Sequence, residues 1–416
     1  MNLSQRWQEA RYGFSSTFWI ANTLELFERL AFYGAKAVLT IFLIEKVGLA
    51  EDAGALAGMF SGVIYALPIF AGVLVDKYGF RKTLIACFAI FGIGYFLIGM
   101  AGLAFAEDIV NVVGKKPYVI TVLLLTAIGG SLIKPCIVGT VTKTSKEETR
   151  ALGFSIYYSL VNFGGAIGPM LAMFIRTDIG IEYVLVMSSV TSFLLMFGTI
   201  FFFKEPEGVK PEGKSFKQVT KDMFLVFGNV RFISFLVIFS GFWIMFWQIF
   251  YLLPSYSKDV LFFEKFEILE TVDAWCIIFF SVLIATLAKN WKPFTAMIIG
   301  FLLASISWFL IGLFPTILMA VIAVAIFAIG EATQAPRFYE YVSKLAPQDQ
   351  VGTYMGFAFL PVAIGSFAAG PISDWLRINY MTSNPQLMWQ IVGAIGLACT
   401  VLMLAYDQLI VKRISK

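Results

Sequence analysis

Histidine is absent from this chain of 416 residues. It is the commonest metal ligand and the usual general base near neutral pH, so its absence argues against metal sites and acid–base enzymes. The four cysteines, Cys87, Cys136, Cys276 and Cys399, are widely spaced and lie inside apolar segments. They predict neither a disulfide framework nor a metal site. We therefore expect no enzyme, cofactor or metal, and any proton chemistry must use carboxylates or lysines.

Charge is also scarce. Only 14% of the residues are charged, whereas 59% are hydrophobic and 16% aromatic. A soluble chain would carry about 25% charged residues, so this apolar surface requires lipid as its solvent. About 20 apolar residues cross a bilayer. We predict an all-α membrane protein with twelve spans, at 15–44, 53–75, 83–106, 117–142, 151–175, 182–203, 231–256, 269–289, 294–314, 316–344, 353–376 and 387–411.

The basic residues indicate which side of the membrane each loop occupies. Most of the 31 Lys and Arg fall in loops on one side if the amino terminus is cytoplasmic. The positive-inside rule therefore predicts that both termini are cytoplasmic. The opening stretch MNLSQRWQEARYG is polar and does not read as a secretory signal. We expect a multi-pass protein of the cell inner (plasma) membrane, monomeric and without a nucleic-acid partner.

A polar linker divides the twelve predicted spans into two sets of six. Residues 204–230 are rich in Pro, Gly, Lys and Glu, between predicted six-helix bundles at 1–203 and 231–416. Two such halves match the repeat architecture of major facilitator transporters, which predicts that fold. In the second part of the linker, apolar residues at helical spacing predict a short helix on the membrane surface. These residues are Phe216, Val219, Met223 and Phe227.

The loop after the second predicted span supports the same architecture. Its sequence GVLVDKYGFRK resembles the major facilitator loop signature G-x-L-x-D-+-x-G-x-+-+. Asp76 is placed to pair with Arg81 or with a neighbouring helix end. Lys77, Arg81 and Lys82 would hold the loop inside. We expect Asp76, Arg81 and Lys82 to serve gating rather than substrate contact.

The first span contains four charged residues, Glu25, Glu28, Arg29 and Lys36. Each would cost about 2.5–3.5 kcal/mol near the centre of a lipid-facing helix, so they must be paired or face a polar cavity. At 100° per residue most of the polar side chains fall on one stripe, with Glu28 about 60° to its side. The stripe comprises Asn22, Glu25, Arg29, Tyr33, Lys36 and Thr40.

A partner for these acids is available in the fourth span. Lys134, followed by Pro135, lies at nearly the depth of Glu25 and Glu28 at 1.5 Å per helical residue. We predict an ion pair of Lys134 with Glu28, serving either proton coupling or only static pinning of helices. Lys36 lies nearer the outer face, where it either binds substrate or snorkels to the surface.

Acids also occur in the second half. Glu331 lies near the middle of the tenth span, where it would be protonated part of the time, face a cationic ligand, or stay neutral as a hydrogen-bonding group. Asp273 starts the predicted eighth span. It is either a cavity residue or an acid that complements the helix dipole.

The segment ELFERLAFYGAK resembles the first-span signature E-x-x-E-R-F-x-Y-Y-G-x-R of the proton-dependent oligopeptide transporter family. EATQAPRFYEYVSKLAP resembles the tenth-span pattern of that family, with Glu331 at its acid. GVIYALPIFAGVLVDKYG, GGSLIKPC and GFSIYYSLVNFGGAIG resemble its second, fourth and fifth spans. The resemblance thus covers most of the N-terminal half and the tenth and eleventh spans.

This resemblance implies roles for individual residues. Glu25, Glu28, Arg29 and Lys134 would form a proton-sensitive network. Lys36 and Lys134 would attract a substrate carboxylate, and Glu331 would bind a substrate ammonium. The remaining pocket residues implied are Tyr33, Tyr65, Asn162 and Trp243.

Three features depart from the family pattern. Trp247 occupies an acidic position of the seventh span, Asp273 stands at a substrate asparagine, and the two extra helices of bacterial members are missing. We predict a proton-coupled symporter of di- or tripeptides, or of a similar zwitterionic solute. The alternatives are an exporter of drugs or amphipathic compounds, for which Trp243, Trp247 and Trp275 would line the cavity, and a sensor without flux.

Overall fold

The computed structural model describes residues 13–206, 216–346 and 351–412. Within these ranges the chain is helical, and the one β-type contact is an isolated bridge between Phe14 and Ser145. The predicted all-α class is therefore confirmed. Residues 207–215 of the predicted linker lie outside the described residues.

The first helix is unbroken over 27 residues, which include no proline and only one glycine, Gly34. The second span is broken in front of Pro68, and the fourth around Leu132, two residues before Lys134. A proline that begins a new helix lacks an N–H that would need a partner, which favours a break there. The helices of this part are α1 (Ser16–Phe42), α2 (Ala53–Ala66), α3 (Pro68–Tyr78), α4 (Phe80–Met100), α5 (Glu107–Val113), α6 (Lys115–Ser131), α7 (Ile133–Thr144), α8 (Arg150–Asp178) and α9 (Ile181–Phe202).

The second part of the chain follows the same pattern of long apolar helices. Asn229, Thr316 and Asn384 each cap a helix by accepting a backbone N–H three residues further on. The helices are α10 (Phe216–Phe227), α11 (Val230–Tyr251), α12 (Leu253–Asp259), α13 (Phe266–Leu287), α14 (Pro293–Leu313), α15 (Ile317–Leu345), α16 (Val351–Phe357), α17 (Leu360–Tyr380) and α18 (Pro385–Tyr406).

Each predicted span corresponds to a helix or a helix pair. Among the described residues ten helices are long and apolar enough to cross a membrane, and the bent pair Ala50–Ala66 and Pro68–Tyr78 makes an eleventh. Helix α1 is long enough as well, but its four charged residues set it apart from these apolar helices. A polytopic membrane protein is therefore confirmed.

Contacts between helices group the chain into two compact units. The first comprises Met1–Val38 and Leu67–Val219, and the second comprises Leu39–Ala66 and Thr220–Lys416. This grouping reflects which helices pack against each other in the structure. It does not identify which helices form a sequence repeat. The predicted bundles at 1–203 and 231–416 thus stay a prediction.

The predicted linker helix is present as α10. Phe224, Leu225 and Phe227 on this helix are exposed, while Val226 is buried. Lys217 and Lys221 are exposed as well. An amphipathic basic helix of this kind is typical of a membrane interface, where its placement stays a prediction.

In the first unit, α1 and α8 approach each other at glycines. A Cβ atom added to Gly168 would lie 2.6 Å from the Leu30 carbonyl oxygen, and one added to Gly34 would lie 3.1 Å from the Gly168 oxygen. Close helix contacts in membranes use small residues in this way. These glycines set the depth at which the charged stripe of α1 meets α8.

In the second unit, α14 and α15 cross at Gly300 and Gly330. A Cβ atom on either glycine would lie 2.6 Å from the carbonyl oxygen of the other. Nearby, the Trp308 and Trp389 rings stack with centroids 4.8 Å apart and planes at 3°. Tight backbone contact and ring stacking together give this unit a rigid core.

Gly168→Ala should lower the stability of the purified protein by about 1–3 kcal/mol, because the new methyl group overpacks the crossing of α1 and α8. Gly72→Ala is the matched control, since a Cβ atom there would meet nothing within 4 Å. Thermal unfolding in detergent measures both. Equal unfolding temperatures for the two variants would contradict this account of the crossing.

Candidate functional site

The four charged side chains of α1 are buried inside the first unit. Glu25 is 0% exposed, Glu28 2%, and Arg29 and Lys36 each 3%. Asn22, one turn before Glu25, is also buried. The predicted stripe therefore faces protein rather than lipid, as its cost in hydrocarbon requires.

Arg29 binds both acids of the stripe. Its Nε atom lies 3.4 Å from Glu25 Oε1, one turn earlier, and donates a hydrogen bond to Glu28 Oε2. The guanidinium carbon also lies 4.7 Å from the centroid of the Phe32 ring. One cation thus holds two buried carboxylates, and protonation of either would alter the balance of charge.

Lys36 is held against an aromatic ring. Its Nζ atom lies 5.4 Å from the centroid of the Tyr33 ring, within cation–π range. Because Lys36 is buried, its amine does not snorkel to the surface. Tyr33 itself is partly exposed.

Lys134 lies at the broken part of the fourth span. It is the second residue of α7, and Pro135 follows within the first turn. The lysine interacts electrostatically with Arg29, Glu25 and Glu28. The predicted proximity of Lys134 to the stripe is present, and the predicted ion pair of Lys134 with Glu28 stays a prediction.

Further residues that the sequence reasoning missed complete this cluster. A Cβ atom on Gly164 would lie 2.5 Å from Arg29 Cβ, so only glycine allows α8 to cover the arginine. The Tyr95 hydroxyl on α4 is buried near Glu28. In the described part of the chain, neither the Tyr95 hydroxyl nor Glu28 Oε1 has a hydrogen-bond partner. Tyr157 also lies within electrostatic range of Glu25. Of these three residues, only Gly164 could have been found from the sequence, because it begins the glycine-rich run GGAIG.

The acids of the second unit lie on two packed helices. Glu331 occupies the middle of α15 and is partly exposed, and α13 packs against α15. Asp273 lies two turns inside α13, which begins at Phe266. Because the dipole effect is confined to the first turn, Asp273 is not a helix-start acid, and its role as a cavity residue stays a prediction. Glu267 and Glu270 are further buried acids on α13 that sequence reasoning missed.

Trp247 is a core residue of the second unit. It is fully buried, its Nε1–H donates to the Val362 carbonyl at 3.1 Å, and its ring stacks on Tyr251 with centroids 5.4 Å apart. Tyr65 lies 5.9 Å from the Trp247 ring. The indole therefore ties α11 to α17 where a carboxylate was expected.

The predicted gating loop is built around a helix start. Gly79 has a φ of +83°, which a residue with a side chain rarely adopts. The carboxylate of Glu205 accepts from the backbone N–H groups of Phe80 at 2.7 Å and Arg81 at 2.8 Å. Glu205 thus caps α4, a role that sequence reasoning did not assign.

Arg81 and Asp76 are not paired. The Arg81 guanidinium donates to the Ile200 carbonyl, and within the described ranges Asp76 forms no ion pair with it. The arginine reaches the end of α9 instead, and the alternative pairing of Asp76 with a neighbouring helix end stays a prediction. With Lys82, these residues line an exposed cavity of about 370 Å³.

The predicted site residues fall into two groups. Most substrate-lining candidates are partly exposed, whereas the proton-coupling candidates on α1 are buried. Asn162 on α8 donates its amide N–H to the Tyr158 carbonyl at 2.8 Å.

Among the described residues no three His, Cys, Asp or Glu side chains are arranged to hold a metal ion. The first unit contains Glu25, Glu28, Arg29, Tyr33, Lys36, Lys134 and Asn162, and the second contains Tyr65, Trp243, Asp273 and Glu331.

Solved structures share this fold. A POT family transporter in complex with 5-aminolevulinic acid superposes with a TM-score of 0.78 at 17% identity, covering 94% of this chain and 96% of that one. A peptide transporter POT in complex with sulfate gives 0.78 at 18% identity, covering 95% of each chain. Likeness at this identity establishes the fold.

Curated relatives include a multidrug resistance protein, a solute carrier and a peptide permease. The multidrug resistance protein MdtH of Photorhabdus laumondii is 22% identical over 384 residues, covering 88% of each chain. Solute carrier family 15 member 2 of Mus musculus is 28% identical over 240 residues, covering 52% of this chain and 31% of that protein. Dipeptide and tripeptide permease B of Aliivibrio fischeri is 23% identical over 212 residues, covering 50% and 41%.

The family model described as Major Facilitator Superfamily matches residues 23–370. This match contains the four charged residues of α1, the predicted gating loop and most of the second unit. It establishes a transporter rather than an enzyme, with a small-molecule solute. The chain belongs to the major facilitator superfamily.

Proposed function

We propose that this protein is a proton-coupled symporter of di- or tripeptides, or of a small solute with the same zwitterionic charge layout. The observation that carries the proposal is the buried cluster on α1, in which one arginine binds two glutamates. Two acids around one cation form an arrangement whose net charge changes with a single proton. Such buried intramembrane acids are typical of proton relays.

Coupling would follow from the charge balance around Lys134. With Glu25 and Glu28 ionised, the cluster carries two negative charges against Arg29 and Lys134. Protonation of Glu28 removes one negative charge and leaves the lysine less well compensated. Lys134 is partly exposed, so it could then bind a substrate carboxylate. Proton binding and substrate binding would thereby favour each other.

The two ends of the substrate would be recognised by opposite charges. We assign the carboxylate to Lys134 with Lys36, and the ammonium to Glu331. Tyr33, Tyr65, Asn162 and Trp243 would line the pocket, and Asp273 would add a second negative group for substrates with an extra cationic side chain. The solved POT structure with 5-aminolevulinic acid, a zwitterion by its chemistry, supports this class.

The membrane location and the orientation of the protein are part of the same proposal. We propose residence in the cell inner (plasma) membrane with both termini cytoplasmic, in agreement with the positive-inside rule. Alternating access would arise from rocking of two six-helix halves, with Asp76, Arg81 and Lys82 in the gating loop. Each chain carries both sets of site residues, so a monomer would suffice.

Glu28→Gln should abolish accumulation driven by a pH gradient while sparing substrate exchange, because the amide cannot release a proton. We expect gradient-driven uptake of a dipeptide into proteoliposomes to fall by roughly ten- to a hundredfold. Glu182→Gln is the control, since Glu182 is another buried carboxylate, at the first turn of α9. Intact gradient-driven uptake by Glu28→Gln would refute the coupling role.

Glu331→Gln should weaken peptide binding, because an ammonium bound to a carboxylate is worth about 1.5–3 kcal/mol. The KM for dipeptide uptake should rise by roughly ten- to a hundredfold. Glu340→Gln on the same helix is the matched control, since Glu340 pairs with Arg337 and Lys344 instead. If the two variants had the same KM, Glu331 would not contact the ammonium.

Export of drugs or amphipathic compounds is the second candidate. It is favoured by the match to the multidrug resistance protein MdtH over 88% of both chains, whereas the dipeptide and tripeptide permease and the solute carrier match about half of this chain. Trp247 in place of an acid also removes a charge that a peptide symporter of the resembled family would have. The partly exposed Trp243 would then contact apolar ligands.

A ligand screen separates the two functions. Under the symport proposal, dipeptides should raise the thermal unfolding temperature of the purified protein, and amphipathic cations should leave it unchanged. Overexpression should then confer no drug resistance on a host strain. Stabilisation by amphipathic cations together with resistance would instead establish export.

A further inference from the structure

A carboxylate of α17 caps the start of α2 inside the second unit. Asp374 Oδ1 accepts the backbone N–H of Gly54 at 2.8 Å, and Oδ2 accepts that of Ala55 at 2.7 Å. The first N–H groups of a helix have no partner within the helix, so a carboxylate is a strong ligand for them. Asp374 is 6% exposed, so these bonds are largely shielded from water.

Arg377 adds a third hydrogen bond at the same helix start. Its guanidinium donates to the carbonyl oxygen of Ala50, just before α2, and also lies 3.4 Å from Asp374 Oδ1. Asp374 and Arg377 are one turn apart on α17. Together they bind both the N–H groups and a carbonyl group of the segment that begins α2.

The contact between α2 and α17 continues along both helices, away from this cap. A Cβ atom on Gly370 would lie 2.3 Å from the Gly54 carbonyl oxygen. The Ser366 hydroxyl donates to the Gly58 carbonyl at 3.0 Å. The backbones therefore touch, which positions Asp374 at the N-terminus of α2 without a gap for water.

We propose that Asp374 and Arg377 form a latch that holds the start of α2 against α17 and so keeps the predicted external side of the transport path closed. The proposal rests on the proposed transport function, in which predicted halves containing α2 and α17 separate during each cycle. The positive-inside assignment places the start of α2 and the end of α17 outside. Opening on that side must break both amide–carboxylate bonds.

The chemistry of the latch suits repeated opening. Its partners on α2 are backbone groups at a helix start, which water can satisfy when the helices part. The bonds are thus strong when shielded and replaceable when exposed.

The latch can be tested by a distance that needs no substrate. Spin labels at Glu51→Cys and Thr382→Cys, both exposed positions, report the separation of the two helix ends. The natural cysteines Cys87, Cys136, Cys276 and Cys399 are replaced first. Electron–electron distance measurements are made on the full chain in lipid nanodiscs, with Asp374 intact and with Asp374→Asn.

Asp374→Asn should lower the ratio of short to long distances by roughly tenfold, because the amide cannot accept both N–H groups. Gly370→Ala should shift the same ratio in the same direction, because the added methyl group forces α2 and α17 apart. This variant tests the latch if Asp374→Asn does not fold. Ser373→Ala is the control, since the Ser373 hydroxyl is buried without a hydrogen-bond partner in the described residues. It should leave the distances unchanged.

Unchanged distances in both Asp374→Asn and Gly370→Ala would overturn the latch. An equal shift in Ser373→Ala would also overturn it, because the effect would then be general loosening of α17. The distances are independent of the solute. Absence of peptide uptake by the intact protein would therefore refute the proposed function while leaving the latch result as measured.

Discussion

The bond from Arg29 to two buried glutamates is the constraint on which the first unit depends. A lipid-facing helix with Glu25, Glu28, Arg29 and Lys36 would be too costly to insert, so other helices must cover these groups. Gly164 supplies the cover by letting α8 lie against the arginine. The ion pairs, the glycines and the burial of α1 are therefore one arrangement rather than three separate features.

The second unit is organised differently, around aromatic and backbone contacts with few buried cations. Trp247 is an example of this aromatic packing. It occupies a position where the resembled family carries an acid, yet its indole is bonded to Val362 and stacked on Tyr251. At this position packing takes the place of the charge of the resembled family, and the fold persists. Substrate class can thus diverge among proteins of one fold.

Opening and closing place opposite demands on the same helices. Buried backbone contacts such as Gly54 with Gly370 favour one conformation, while the alternating access that we propose requires that they part. Bonds from side chains to helix starts reconcile these demands, because water replaces them at modest cost. Glu205 at the start of α4 and Asp374 at the start of α2 are both bonds of this kind. Each unit therefore contains a carboxylate bound to backbone N–H groups where a helix begins.

The amino-acid sequence by itself determined the helical membrane class, the positions of the spans and the polar stripe of α1. Hydrophobic length and helical periodicity are local properties, so they can be read along the chain. Tertiary structure alone decided that α8 covers Arg29 at Gly164, that the Trp247 indole bonds to Val362, and that Arg81 reaches Ile200 rather than Asp76. These depend on which helices meet and at what depth. Glycines and breaks in other segments set that depth, and no single span encodes it.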